Sequence, residues 1–228
     1  SFSNLEQFSA DIAHELRTPI NSLLQKTEVV LSRPRSIREY KELHHLNLEE
    51  FGKLKHMVGD MLFLARADHG MLVLERMQVD LQHEVQQVAD FFEYIASDKQ
   101  QDIKISGAGI LWADRLMVHR ALTNLFSNAV KYGLPGTAIK VDIHRDGEHQ
   151  VVSISNACPA LSEADLKGLF SRFIRSDAPA TRDVDGTGIG LTIVRSIMRL
   201  HQGTVDAHHD GDMITMMLRF PNHEQRDG

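Results

Sequence analysis

A single cysteine, Cys158, in 228 residues excludes an intrachain disulfide framework and suits a reducing, cytoplasmic compartment. No apolar run approaches the roughly 20 residues that span a bilayer. The opening stretch Ser1-Phe-Ser-Asn-Leu-Glu-Gln-Phe-Ser lacks the charged-then-apolar layout of a secretory signal. Basic residues are not in excess: 25 Lys and Arg stand against 31 Asp and Glu, a formal net charge of −6, so neither nucleic acid nor anionic lipid is drawn to the surface as a whole. There is no GxxxxGK[ST] phosphate loop, no glycine fingerprint opening a βαβ unit, no internal repeat and no low-complexity tract. What is present is an ordinary globular composition, 42% hydrophobic and 25% charged, in a chain long enough for one large domain or two modest ones.

Apolar positions 5, 8, 12, 16, 20, 23, 27 (a threonine) and 30 recur at steps of three and four, which predicts one long amphipathic helix with Pro19 as a kink inside it. Ser32-Arg33-Pro34-Arg35-Ser36 reads as a turn. A second helix follows, with Leu43, Leu46, Leu54, Met57, Met61 and Leu64 on one face. Such a hairpin cannot bury its stripe alone, so the pattern predicts a homodimer in which two hairpins form a four-helix bundle. The helical period fades between Ala67 and Met77, and a linker is expected over residues 68–78. Beyond it the pattern gives helices over 81–98, 115–131, 162–169 and 190–201. Strands are expected near 103–105, 138–145, 150–155, 203–208 and 213–220, with a hairpin turn at Arg145-Asp146-Gly147-Glu148. The expected architecture is a helical-hairpin domain over 1–70 followed by an α+β sandwich over 78–223.

Three constellations carry chemistry. In Phe8-Ser-Ala-Asp-Ile-Ala-His14-Glu15-Leu-Arg17-Thr18-Pro19-Ile20, Phe8, Ile12, Leu16 and Ile20 form the apolar stripe. Asp11, His14, Glu15 and Thr18 form a polar stripe beside it. An accessible imidazole is mostly neutral near pH 7, and a neighbouring carboxylate can hold its Nδ1 proton so that Nε2 is free to attack. Any one His-Glu pair is more often a solvated helix face. In His119-Arg120-Ala-Leu-Thr-Asn124-Leu-Phe-Ser-Asn128-Ala-Val-Lys131-Tyr132, positions 120, 124, 128 and 131 share a helix face. Amide oxygens suit Mg²⁺ and the lysine suits phosphate. In Asp185-Gly186-Thr-Gly188-Ile-Gly190-Leu191 the glycines allow backbone N–H groups to approach phosphate oxygens ahead of a helix N-terminus, although such a run alone is a weak signal.

Taken together these strings resemble the sensor histidine kinases. Ala13-His14-Glu15-Leu16-Arg17-Thr18-Pro19 is similar to the family's phosphoacceptor box, Asn124-x-x-x-Asn128-Ala-x-Lys131-Tyr132 to its N box, Phe170-Ser-Arg172-Phe173-Ile-Arg175 to its F box and the glycine run to its G2 box. The four occur in the family's order and cover almost the whole chain. Asn47-Leu-Glu-Glu and Asp60-Met-Leu-Phe-Leu-Ala-Arg-Ala-Asp68 further resemble the heavy-metal-responsive subgroup, the copper and silver sensors.

The resemblance implies a dimerisation and histidine phosphotransfer domain, then an α/β sandwich ATP-binding domain of the histidine kinase, gyrase and chaperone type. It implies autophosphorylation of His14 from ATP, with Glu15 as base, and transfer to an aspartate of a response regulator. Thr18, one turn after the histidine, implies phosphatase activity toward that regulator. ATP and Mg²⁺ are the implied cofactors. Asn124, Asn128, Lys131, Tyr132, Asn156, Phe170, Arg172, Phe173, Arg175, Gly186, Gly188, Gly190 and Leu191 are the implied nucleotide residues, with Asn128 as the Mg²⁺ ligand and residues 171–189 as a lid over ATP. The location implied is the cytoplasmic portion of a bacterial inner-membrane protein, whose sensor region is not in this chain.

One box departs from the family pattern. Where Asp-x-Gly-x-Gly reads adenine, this chain has Asn156-Ala-Cys158-Pro-Ala160, without either glycine and with an uncharged acceptor. Two other functions are compatible with parts of the pattern. One is an ATPase of the same fold acting as a conformational switch; the other is a weakly ATP-binding phosphatase or scaffold. The pairs His44-His45 and His208-His209 point to different faces of their elements and do not form the i, i+4 spacing of a metal site.

Overall fold

The computed structural model describes residues 2–170 and 188–222. The chain divides into two compact units, Ser1–Arg66 and Ala67–Gly228.

The first unit is a helical hairpin. Helix α1, Phe2–Leu31, runs through Pro19 without ending, and α2, Ile37–Asp68, follows a short turn. The start of α2 is encoded locally. Ser36 caps it, its Oγ accepting from the Glu39 backbone N–H at 3.3 Å while the Glu39 carboxylate takes the Ser36 backbone N–H at 2.8 Å, a reciprocal box that satisfies two otherwise orphaned donors. Leu23, Leu43, Met57 and Met61 are buried. Leu46, expected on the buried face, is 47% exposed, and Ile20, Leu24, Leu31, Val58 and Leu62 are exposed as well. The apolar band is therefore wider than one hairpin can cover. Among the described residues no helix is long and apolar enough to cross a membrane.

The second unit is a two-layer sandwich. It contains β1 (Arg76–Asp80), α3 (Leu81–Asp98), β2 (Asp102–Gly107), β3 (Ile110–Asp114), α4 (Arg115–Tyr132), β4 (Ala138–Asp146), β5 (His149–Ala157), α5 (Glu163–Gly168), α6 (Gly190–Leu200), β6 (Thr204–Asp210) and β7 (Met213–Pro221). Five strands form a mixed sheet in the order β2-β4-β5-β7-β6, with β2 parallel to β4 and the other pairs antiparallel. The hairpin turn expected at Asp146-Gly147 joins β4 to β5, with Asp146 opposite His149 and Gly147 at φ 57°.

Alternate residues Ile139, Val141 and Ile143 of β4 and Val152 and Ile154 of β5 are buried. The helical layer buries Leu81, Val85, Val88, Ala89, Phe92 and Ala96 of α3 and Val118, Ala121, Leu122, Leu125, Phe126, Ala129 and Val130 of α4, with α3 against β2 and α4 against β5. Phe92 and Phe126 stack with centroids 6.2 Å apart, fixing α3 against α4.

Two strands were not expected from the pattern. β1 and β3 pair antiparallel, from Arg76 opposite Asp114 to Asp80 opposite Ile110, so the segment that reads as linker enters regular structure at Arg76. Each strand is five residues long with a partner distant in sequence, and neither shows a sustained two-residue period.

Candidate nucleotide site and phosphoacceptor helix

Helix α4 is the spine of the site. Asp114 starts it: its Oδ1 accepts from the Met117 N–H at 3.1 Å as an N-cap, and its Oδ2 accepts from the Glu75 N–H at 3.1 Å. Its own backbone N–H donates to Nε2 of His201 at 3.1 Å. His201 ends α6, and its other ring nitrogen lies 2.8 Å from the Ile197 carbonyl. The imidazole is therefore held neutral, protonated at Nδ1 and accepting at Nε2. Burial pushes its pKa below the ordinary histidine value. Asp114 and His201 lie outside the sequence motifs, and only the Asp-x-x-Met start of an apolar-periodic run signals the cap.

Along α4 the buried stripe leaves Arg120, Asn124, Asn128 and Tyr132 half-buried and Lys131 exposed, so the face expected from the sequence forms. His119 is used differently. Its Nδ1 lies 3.2 Å from Oε2 of the buried Glu84, which also pairs with Arg115. These three form a polar cluster joining α3 to α4, apart from the proposed nucleotide face.

Asn124 donates from Nδ2 to the Arg120 carbonyl at 2.9 Å. Its Oδ1 faces the first residue of α6, since a Cβ on Gly190 would lie 2.8 Å from it. A side chain at 190 would therefore force Asn124 to shift, and Gly188 takes a left-handed φ of 65° that favours glycine. Among the described residues no side chain caps the N-terminus of α6, and a helix start of this kind suits an anion. Thr192 donates to the Phe170 carbonyl at 3.3 Å, tying the start of the F box to α6.

At the end of β5, Asn156 is buried and donates from Nδ2 to the Ala157 carbonyl at 3.1 Å. One of its two Nδ2 protons is thereby engaged, which orients the amide, and Oδ1 is an acceptor. The neighbouring Cys158 is buried, and burial raises its thiol pKa.

These observations fit a nucleotide with its ion: amide oxygens and a lysine lie on one ridge, a glycine-lined approach and a bare helix N-terminus lie beside it, and a buried uncharged acceptor closes the strand end. Arg172, Phe173, Arg175 and Gly186, with most of the expected lid, lie outside the described residues. His14 and Glu15 are on α1, but their side chains are likewise outside them. Thr18 is exposed on the same helix.

Comparison with known proteins agrees with this geometry. Residues 4–70 match the family described as the His Kinase A (phospho-acceptor) domain. Residues 113–224 match the histidine kinase-, DNA gyrase B- and HSP90-like ATPase family. The chain is 39% identical over 220 residues to the "Probable sensor protein PcoS" of Escherichia coli, covering 96% of this chain and 47% of that protein. It is 40% identical over 221 residues to the sensor histidine kinase CusS of Escherichia coli strain K12, covering 96% and 46%. It spans about half the length of these curated relatives. In structure it is similar to the Acinetobacter baumannii histidine kinase AdeS, with TM-score 0.77, 22% identity and coverage of 92% of this chain and 98% of that one. It is also similar to histidine kinase ThkA in a complex with response regulator protein TrrA, with TM-score 0.78, 21% identity and coverage of 99% and 64%; both likenesses show the fold. With a phospho-acceptor domain and a kinase-type ATPase domain in one chain, and sensor kinases as relatives along nearly all its length, the protein belongs to the sensor histidine kinases.

Proposed function

We propose that this chain is the catalytic core that moves the γ-phosphoryl group of ATP to Nε2 of His14 and from there to an aspartate of a response regulator. ATP supplies the phosphoryl group, and Mg²⁺ bound with it offsets charge on the phosphates. The residues do the rest. Asn128 provides the oxygen ligand for the ion, Lys131 meets phosphate as a point charge, and Tyr132 and Asn124 border the nucleotide. The N–H groups after Gly188, with Gly190 and Leu191, approach phosphate oxygens, and Asn156 Oδ1 accepts from the adenine amine. Glu15 holds the Nδ1 proton of His14 and leaves Nε2 as the nucleophile. As the Nε2–P bond forms, the bond from phosphorus to the ADP oxygen breaks. Phe170, Arg172, Phe173, Arg175 and Gly186 belong to the lid and its hinge. We propose the domain limits 1–70 and 76–223, the second moved from the expected 78 because β1 begins at Arg76 and pairs with β3.

The observation that carries this reading is α4 itself, which presents Asn124, Asn128 and Lys131 along one solvent-facing ridge beside the uncapped N-terminus of α6. The exposed apolar residues of both hairpin helices support a homodimer bundled through that face. The whole protein's setting is read from its relatives: an inner-membrane sensor kinase, responding to a heavy metal, with this chain on the cytoplasmic side. Calorimetric titration of Mg-ATP tests the site. Asn128→Ala should abolish Mg²⁺-dependent binding, and wild-type affinity in that variant would remove Asn128 from the ion.

A further inference from the structure

Helix ends leave their last carbonyls without partners, and α4 ends with little provision of its own. Gly133, its C-cap residue, is extended at φ −66° and ψ 140°, not left-handed, and supplies one backbone N–H to Ala129. The carbonyls of Val130 and Lys131 are taken instead by a side chain from another helix: Lys99 Nζ donates to them at 2.8 and 2.9 Å.

We propose that Lys99 is a positioning residue for nucleotide binding, whose ammonium clamps the C-terminal turn of α4 from which Lys131 and Tyr132 reach the nucleotide. The inference rests on the reading of α4 given above.

Lys99 is itself well anchored. It caps α3, its N–H bonding to the Ala96 carbonyl at 3.0 Å, and the turn after it is closed by Gln100 N–H to Ser97 and Gln101 N–H to Ala96. Gln100 takes φ 57° to make that turn, a conformation with a cost for a residue that is not glycine. The backbone carbonyl of Lys99 also accepts the Gly136 N–H at 3.0 Å. One residue thus holds both ends of the connection from α4 to β4, by its ammonium at the near end and its carbonyl at the far end. Between them the Leu134 N–H donates to the Ala157 carbonyl at 2.9 Å, next to Asn156, so the two sides of the nucleotide site meet in this connection. A cation at a helix C-terminus also opposes the negative end of the dipole. Its acceptors here are neutral carbonyls, a geometry that serves to place a turn.

The test uses Lys99→Met, which keeps the stem and removes the donors, and Lys99→Arg, which restores them. Mg-ADP affinity by calorimetry, the KM for ATP and kcat of autophosphorylation, the thermal midpoint and amide exchange are read in each. Lys99→Met is expected to weaken Mg-ADP and raise KM about tenfold, the scale of one charge-assisted hydrogen bond, with kcat little changed. Amides 131–134 should exchange faster while the sheet stays protected, and Lys99→Arg should recover most of the affinity. Wild-type affinity in Lys99→Met overturns the proposal. So does equal weakening in both variants, or a protection loss spread over the sheet. Loss of cooperative unfolding in Lys99→Met overturns it as well, because a clamp on one turn leaves the fold intact. Asn128→Ala and Lys131→Ala separate the two readings. If both bind nucleotide as wild type does, the nucleotide reading of α4 fails and takes this proposal with it. If they lose binding while Lys99→Met keeps it, only the role of Lys99 fails.

Discussion

Thr18 is exposed on α1, four residues and about one turn after His14, so both positions lie on one helix face. Its proposed task is to orient a water for in-line attack on the regulator's aspartyl phosphate. Thr18→Ala should therefore abolish phosphatase activity toward the phosphorylated regulator while His14 still accepts phosphate from ATP. Parallel assays on one preparation check this, and equal loss of both activities would assign Thr18 to the structure of the helix. At the residue scale the sequence was informative wherever a position follows from helical spacing, as for Asn124, Asn128 and Lys131 on one face of α4. It was less so for Asn156, where the chain says only that an amide replaces a carboxylate. That the amide is oriented by an Nδ2 bond to the Ala157 carbonyl depends on how the end of β5 is bonded.

The elements around the site are joined where α4 packs against α6, and two contacts of that junction can be tested. At one, Gly190 lies against Asn124. A methyl group at 190 would press on an oxygen whose side chain is held by the Arg120 carbonyl, so Gly190→Ala should destabilise by about 1–3 kcal/mol, as overpacking does. Urea unfolding should show a smaller cost for the same substitution in an Asn124→Ala background, and additive costs would mean that the two residues do not meet.

At the other point, His201 accepts from the Asp114 N–H beneath the N-cap of α4. Its pKa is lowered by burial and by Arg76 against the opposing effects of the Ile197 carbonyl and Asp114. A depressed folded-state pKa means that this stability is fully present above the unfolded value of about 6.5 and is lost as pH falls through the folded value. The thermal midpoint should drop between about pH 7 and 5 by more in the wild type than in His201→Gln, and matching pH profiles would exclude His201 as the source. Neither junction was legible beforehand. The Asp114–His201 bond joins residues 87 apart in the chain, and the β1–β3 ribbon likewise pairs segments that local periodicity cannot connect. The long helices, the hairpin turn at Gly147 and the α4 stripe were legible because each is set by near neighbours.

At the scale of the whole molecule, the proposed acceptor His14 is on a helix of the hairpin unit and the proposed nucleotide face is on the sandwich unit. A core built this way retains phosphate on itself, whereas an ATPase of the same fold releases it. Incubation with γ-labelled ATP and Mg²⁺, followed by acid or alkali, decides between them. If His14 is the acceptor, the wild type keeps label that survives alkali and is lost in acid, and His14→Gln keeps none while still binding nucleotide. Label that resists acid, or label retained by His14→Gln, would contradict phosphoryl transfer to His14.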